Sequence, residues 1–473
     1  MANPLIVRAA GLLLPLCLTW GLLAYRRPDR RLAAATFLAS AWVLPSSLAL
    51  NLLAVRLGWW SFEARGGLFL GTPVDLWLGW SLFWGAVPVL ALRRVPLWAL
   101  AAAIAWIDVL LMPRATPVVR LGPGWLVGEA VGVAACLVPA QLIGRWTHDG
   151  RRLAARAVGQ MIVFAALSLW LLPSAVLEAT HGSWRPLVDA PSWRLSLAAQ
   201  LLAIPAVTAA AAVLEFAQRG RGTPFPWDPP ERLVATGPYA YVANPMQLSM
   251  TVLMIGLGAL LASPSVALAG LVAGAFGTGL ARWQEEGDLE TRFGAAWRDY
   301  ARAVRPWWPS WRPARVAPAT LYYAGRCLAC SAVGAWFARR EPRGLALRPA
   351  EGFPGPSPTR ITYLTDDGRV FSGVVALARA LDHLNLAWAW VGWALRLPGV
   401  CQAAQLLVDA AGGGPRVIAA TALDESHDHH PRAGRRRGRA SRHRRTPRGS
   451  RGRSARGRPR SSQRGPPGVP ASR

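Results

Sequence analysis

Two sets of side chains in this chain of 473 residues have types and spacings suited to chemistry. The first lies in residues 236–311. Gly237-Pro238-Tyr239 and Asn244-Pro245 precede two apolar segments joined by Ser263-Pro264-Ser265, and the adjacent carboxylates Glu285 and Glu286 follow them. Pro238 and Pro245 push the residues before them out of the helical region. This predicts a shaped loop with exposed backbone groups, and Asn244 at the N-cap of a helix entered near Met246. Two carboxylates beside an apolar run are costly to desolvate, so they should face solvent, a cation or a hydrogen-bond donor. The second set is Cys327-Leu328-Ala329-Cys330, which follows the strand-like Leu321-Tyr322-Tyr323 and opens a helix at Ser331. Amides and dipole at a helix start stabilise a thiolate, and two vicinal thiols there can exchange disulfides. No second Cys or His pair lies nearby, which argues against zinc, and no metal ligand set is assigned. His383 stands alone and reads as a surface helix residue.

Membrane helices must position the first set. Hydrophobic residues make up 52% of the chain and there are 24 Trp. The apolar residues fall into long runs of the kind that cross bilayers. About nine are read, near 5–25, 33–55, 73–92, 95–112, 122–143, 157–176, 194–216, 247–262 and 265–281. The last two are short, about 16 residues or ~24 Å each at ~1.5 Å per residue. If they form a hairpin through the bilayer, both polar ends return to one face. A charged pocket then sits at the lipid boundary, where a soluble cofactor can meet a lipidic substrate. Arg clusters at 26–31, 93–94, 145–156 and 219–232 fall in alternate loops. The positive-inside rule puts those loops in the cytoplasm, with the amino terminus outside and everything after the ninth helix inside. The first apolar run has no A-x-A cleavage pattern and reads as a retained helix.

The fold class is therefore mainly α, a polytopic membrane protein with a small C-terminal α/β domain. Residues 1–150 form a polytopic membrane region and residues 151–315 hold the hairpin. In residues 316–415, strand-like runs at 320–323, 345–349, 361–364 and 369–372 alternate with helical runs at 331–340 and 374–384, and Asp367-Gly368 is a hairpin turn signal. The apolar run around Trp388 and Trp393 reads as a helix packing on that domain or on the membrane surface. Residues 416–473 are rich in Arg, Gly, Pro and Ser and are expected to be disordered. Net charge is +28, and 16 of the Arg lie in 431–473. His427, His429 and His430 there could bind metal, and the Arg could bind anionic lipid, but neither signal is specific; no specific nucleic-acid partner is assigned. The 53 basic residues are all Arg, which excludes Schiff-base catalysis by lysine. Cys17 and Cys136 lie in apolar runs as packing residues, and no disulfide framework is present. Asp75, near a membrane boundary, and Asp108, inside the fourth run, are intramembrane acids of the kind that mark function.

The segment from about 215 to 313 resembles the membrane methyltransferases of the isoprenylcysteine carboxyl methyltransferase and phospholipid N-methyltransferase group. The matching residues are Gly237-Pro238-Tyr239, Tyr241-Val242, Asn244-Pro245-Met246, Glu285-Glu286, Leu289, Phe293-Gly294 and Tyr300. The resemblance implies that S-adenosylmethionine binds between loop and carboxylates on the cytoplasmic side, held by Gly237, Pro238, Tyr239, Asn244, Pro245, Glu285 and Glu286. A lipidic or isoprenoid acceptor in the membrane would take the methyl group. A carboxylate would attract the cofactor's ammonium; at ~4 Å and an effective dielectric of ~20 a unit pair gives at most ~4 kcal/mol. The family usually carries Arg where Ala240 and Ala243 stand, and Tyr where Gln247 stands. Residues from 318 onward resemble the DCC family of thiol-disulfide oxidoreductases, a thioredoxin-like group, through Leu321-Tyr322-Tyr323, Cys327, Cys330 and Asp367-Gly368-Arg369-Val370-Phe371-Ser372-Gly373. That implies redox catalysis by Cys327 and Cys330 with a thiol partner; Arg326 would favour the thiolate. Residues 58–92 faintly resemble carotenoid-pathway membrane cyclases and hydratases. The expectation is a methyltransferase fused to a redox module in a bacterial inner membrane. The alternatives are a membrane-tethered redox protein, and an isoprenoid-modifying enzyme centred on Asp75.

Overall fold

A computed structural model describes residues 3–415 except 226, 326 and 357, without the side chains of 280–286, 328 and 329. The C-terminal segment from 416, with His427, His429 and His430, and Arg326 beside the Cys pair thus lie outside the described residues. Among the described residues seven helices are long and apolar enough to cross a membrane: α1 (Pro4–Arg26), α2 (Arg30–Leu57), α3 (Val74–Ala91), α4 (Leu97–Ala115), α5 (Trp125–Asp149), α6 (Leu153–Ala179) and α7 (Ser192–Gly220). The two remaining apolar runs form shorter helices, α8 (Pro245–Leu260) and α9 (Pro264–Gly279). Helix α10 (Arg282–Phe293) continues from α9, and α11 (Ala295–Ala303) follows it.

Backbone polarity inside an apolar bundle must be satisfied within the protein. Two prolines show how. Pro88 in α3 and Pro139 in α5 lack the N–H that would bond four residues back, and each follows a widened turn, Leu82–Ala86 and Val133–Leu137. The Trp84 carbonyl accepts instead from Gln141 Nε2 at 2.6 Å, and the Ala135 carbonyl from Trp42 Nε1 at 3.0 Å. Gln141 is wholly buried. These bonds tie α3 to α5 and α5 to α2. At the end of the bundle reached by the 58–73 connection, strands β1 (Trp60–Phe62) and β2 (Val119–Leu121) pair antiparallel, Ser61 facing Arg120.

The C-terminal region carries a four-stranded sheet of β3 (Ala319–Tyr323), β4 (Leu345–Pro349), β5 (Thr362–Thr365) and β6 (Val370–Ser372). Its order is β4-β3-β5-β6, parallel between β3 and β4 and antiparallel elsewhere. The expected strands appear within a residue or two of their places. Gly368, at φ +80°, makes the turn between β5 and β6. One sheet face, with Ala319, Leu321 and Tyr363, packs against α12 (Leu328–Ala338), α13 (Val374–Leu381) and α14 (Leu386–Leu395). The tryptophan-rich α14 packs on the sheet domain through Trp388, as expected, while Ala389 and Trp393 pack on Ala211 of α7.

Candidate functional site

The hairpin closes because small residues line its seam. Ser263 caps α9, its Oγ accepting from the Val266 amide at 3.4 Å. A Cβ placed on Gly258 would stand 2.5 Å from the Ala267 nitrogen, one on Gly270 2.9 Å from Met254 Cβ, and one on Gly274 2.9 Å from Thr251 Cγ2. At the open end Gly277 faces Gln247, whose Oε1 would lie 3.2 Å from such a Cβ. The register is antiparallel and constant, so the Asn244-Pro245 entry and the end of α9 lie at the same end of the hairpin. Glu285 and Glu286 follow in the first turns of α10, and their side chains lie outside the described residues.

The loop before the hairpin is built differently from its expected form. Gly237 to Val242 are buried rather than exposed, and the carbonyls of Pro238 to Tyr241 are taken by protein donors. Tyr300 Oη donates to the Tyr239 carbonyl at 2.9 Å, the Ala314 amide to Ala240 at 2.9 Å, and the Ser310 amide to Tyr241 at 3.0 Å. Helix α11 and the chain beyond it return across the loop and supply these donors, a long-range pairing with no local signature. Asn244 does occupy the N-cap position of α8, but its side chain caps nothing. It donates through Nδ2 to the Pro306 carbonyl at 3.3 Å, beside its own amide on the same oxygen at 3.2 Å. Gly237 stands at φ +60°, with Glu215 Cγ only 3.1 Å from where a Cβ would be. Positive φ and this close approach both require glycine there.

At the mouth of the hairpin, Asn244, Gln247, Gly277 and Trp307 converge. Cη2 of the Trp307 ring would lie 3.4 Å from a Gly277 Cβ, and its Nε1 is buried with no acceptor among the described residues. Buried N–H groups in native proteins nearly always have a partner. An indole N–H left open at this mouth suits a ligand that brings an acceptor atom.

Behind the loop lies a cluster of charges that sequence reasoning did not single out. Glu215, near the end of α7 and 4% exposed, accepts from Thr236 Oγ1 at 2.5 Å. Its other oxygen faces Arg379 and Arg396, each at 3.8 Å. Arg396 in turn pairs with Asp382 at 2.9 Å. Removing one member of a buried ion cluster leaves an uncompensated charge and costs ~3–5 kcal/mol. Tyr241 Oη donates to the Asp382 carbonyl at 2.9 Å. Burial first, and the Asp382 charge second, push the Tyr241 phenol well above its usual range, so it remains a donor. Ala240 packs among Ala211, Tyr241, Ala389 and Trp393; a side chain as large as Arg would not fit that space. The only available signal was a glutamate and two arginines inside otherwise apolar stretches.

His383 is not on the surface of a helix. It is 1% exposed and follows the end of α13. Its Nδ1 faces the Arg343 carbonyl at 2.7 Å, which can only accept, so Nδ1 carries the proton and Nε2 accepts from Tyr363 Oη at 2.8 Å. Burial holds the imidazole down to about 4.

Cys327 occupies the N-cap of α12 and Cys330 its first turn, both half-buried. The helix starts at Leu328, three residues before its expected start at Ser331, because the Cys327 carbonyl already accepts the Ser331 amide at 2.8 Å. Among the described residues no group of three or more His, Cys, Asp or Glu converges as a metal site. In the N-terminal bundle, Asp75 pairs with Arg8 at 2.5 Å, and Arg8 also donates to the Arg65 and Gly66 carbonyls. Asp108 accepts from Trp84 Nε1 at 2.9 Å and lies beside Glu129; both acids are buried. Glu129 escaped the sequence reading, though it is an acid inside an apolar run.

No curated protein and no solved structure matches the chain. Residues 193–296 match the family model described as phospholipid methyltransferase. The match begins in α7, takes in the loop and the whole hairpin, and ends beyond Glu285 and Glu286, so this part of an integral membrane protein is similar to the phospholipid methyltransferases.

Proposed function

We propose that the chain is a membrane-embedded, S-adenosylmethionine-dependent methyltransferase acting on a lipidic or isoprenoid acceptor. The observation that carries this reading is the family match over a hairpin whose register returns both polar ends to one side. When bound, the cofactor supplies a methyl group on a sulfonium, ready for in-line displacement. The protein's part is positioning, with reacting atoms held ~3–3.5 Å apart. Gly237, Pro238, Tyr239, Asn244 and Pro245 shape the loop, Trp307 Nε1 offers a donor, and Glu285 and Glu286 receive the cofactor's ammonium. Helices α8 and α9 leave one flank open to lipid, through which an acceptor enters. On this reading the amino terminus is outside and the C-terminal sheet domain cytoplasmic.

Two measurements test it. Calorimetry on the purified chain should show S-adenosylmethionine binding that Glu285→Ala with Glu286→Ala abolishes. Radiolabelled methyl should pass into a lipid extract. A wild-type protein that gives no binding heat, or a double variant that binds normally, would sink the proposal.

A second reading concerns residues 316–415, favoured by the strand–CxxC–helix arrangement and the sheet order β4-β3-β5-β6. The region would be a thioredoxin-like thiol-disulfide module. Cys327→Ser should then abolish exchange with a small disulfide; unchanged exchange refutes it.

A further inference from the structure

The C-terminal sheet domain is not merely strung after the hairpin. Its helix α14 lies along α7, with Trp390 Nε1 donating to the Ile204 carbonyl at 3.1 Å. The Leu386 amide donates to the Trp311 carbonyl at 2.8 Å. Trp393 meets the Tyr241 ring edge-on at 5.6 Å. Between domain and loop remains a cavity of only about 30 Å³, room for one or two waters. Two anchors cross this contact. One runs from the loop through Tyr241 Oη to the Asp382 backbone, whose carboxylate is held by Arg396. The other runs from Thr236 through Glu215 to Arg379 and Arg396.

We infer that the C-terminal domain positions the 236–244 loop of the methyl-transfer site, with Arg396 and Tyr241 as positioning residues. Arg396 serves both anchors, since its guanidinium faces Asp382 and Glu215 together. The Tyr239, Ala240 and Tyr241 carbonyls are already used by the 300–314 return, so what the domain adds to the loop is a partner for the Tyr241 hydroxyl and, through Glu215 of α7, an anchor for Thr236. In its consequence for cofactor affinity, this inference rests on the methyltransferase reading above. The physical coupling does not.

The test is hydrogen exchange on the full chain in detergent, followed over residues 236–247 and over α2 as a distant control. Tyr241→Phe removes one anchor and Arg396→Gln weakens both. Each should raise exchange of 236–247 by about tenfold while α2 is unchanged, since loss of a buried hydrogen bond releases local opening. Arg396→Lys should restore part of the protection. Tyr241→Phe is the conservative variant and decides the matter if Arg396→Gln does not fold. Binding of S-adenosylmethionine weakens only by the fraction of molecules whose loop is open, so a tenfold rise in exchange from a well-closed loop should leave its affinity nearly unchanged. Unchanged exchange of 236–247 in both variants overturns the inference, as does an equal rise throughout the protein. A wild-type chain that protects the loop but binds no cofactor defeats the methyltransferase reading instead, and the exchange result still decides the coupling.

Discussion

Gly258→Ala is the sharpest probe of the hairpin. The added methyl carbon would stand 2.5 Å from the Ala267 nitrogen and 2.8 Å from its Cα. Backbone atoms cannot swing aside as a long side chain can, so α8 and α9 must part by nearly an ångström to reach ordinary contact. Overpacking of this kind costs ~1–3 kcal/mol, against ~1 kcal/mol gained from the better helix propensity of alanine. The net expectation is a loss of up to about 2 kcal/mol. The consequence reaches the site. Gly258 and Gln247 are 11 residues apart on one helix, ~16 Å at ~1.5 Å per residue, so a changed crossing shifts Gln247 relative to Gly277. Thermal unfolding in detergent should show a transition lowered by several degrees, and methyl transfer should fall more than stability alone accounts for. Gly287→Ala is the control. It sits on α10 with open space around its Cβ position, so it should gain up to ~1 kcal/mol from propensity alone. If Gly258→Ala melts with the wild type and transfers methyl normally, the packed seam does not exist as described.

Two other expectations follow from the same contacts. His383, ordinarily near 6.5 and held to about 4 by burial, takes up its proton more readily in the unfolded chain. Its contribution is therefore present above pH 6.5 and is lost as pH falls toward 4; at ~1.36 kcal/mol per unit the full loss approaches ~3 kcal/mol. Protection over 362–384, measured as exchange relative to its base-catalysed intrinsic rate, should fall between pH 7 and 4, so that exchange slows less with acid than the intrinsic chemistry does, and His383→Gln should remove that loss of protection; a loss that survives the substitution rules this histidine out. In the N-terminal bundle, Asp75→Asn breaks the partly buried pair with Arg8 and should lower stability by ~2 kcal/mol. An unchanged melt would mean that Arg8 is held by the Arg65 and Gly66 carbonyls alone.

The chain's sequence decided by itself which segments are apolar helices and where the sheet strands fall. Each signal is local: unbroken apolar runs survive only as buried or lipid-facing helices, and Asp367-Gly368 fixes a turn through glycine's tolerance of positive φ. The hairpin was legible for the same reason, since a Ser-Pro-Ser break between two short apolar runs leaves little but a reversal. The family match over residues 193–296 agrees with the resemblance read from the motif residues.

Tertiary structure alone decided how polar groups inside the fold are satisfied. Pro88 and Pro139 each free a carbonyl, but only packing reveals that Gln141 and Trp42 accept the task. The loop around Tyr239 is expected to show its backbone, yet it is covered by the 300–314 segment that returns across it. A single histidine carries no periodic signal, so His383 reads as a surface residue; the Arg343 carbonyl and the Tyr363 hydroxyl hold it inside. Glu215, Arg379 and Arg396 lie far apart in sequence and meet only when α7 and the sheet domain pack. Periodicity records which face of an element is apolar, whereas the partner of a buried charge depends on a contact between distant parts of the chain, and that is fixed only when the whole fold closes.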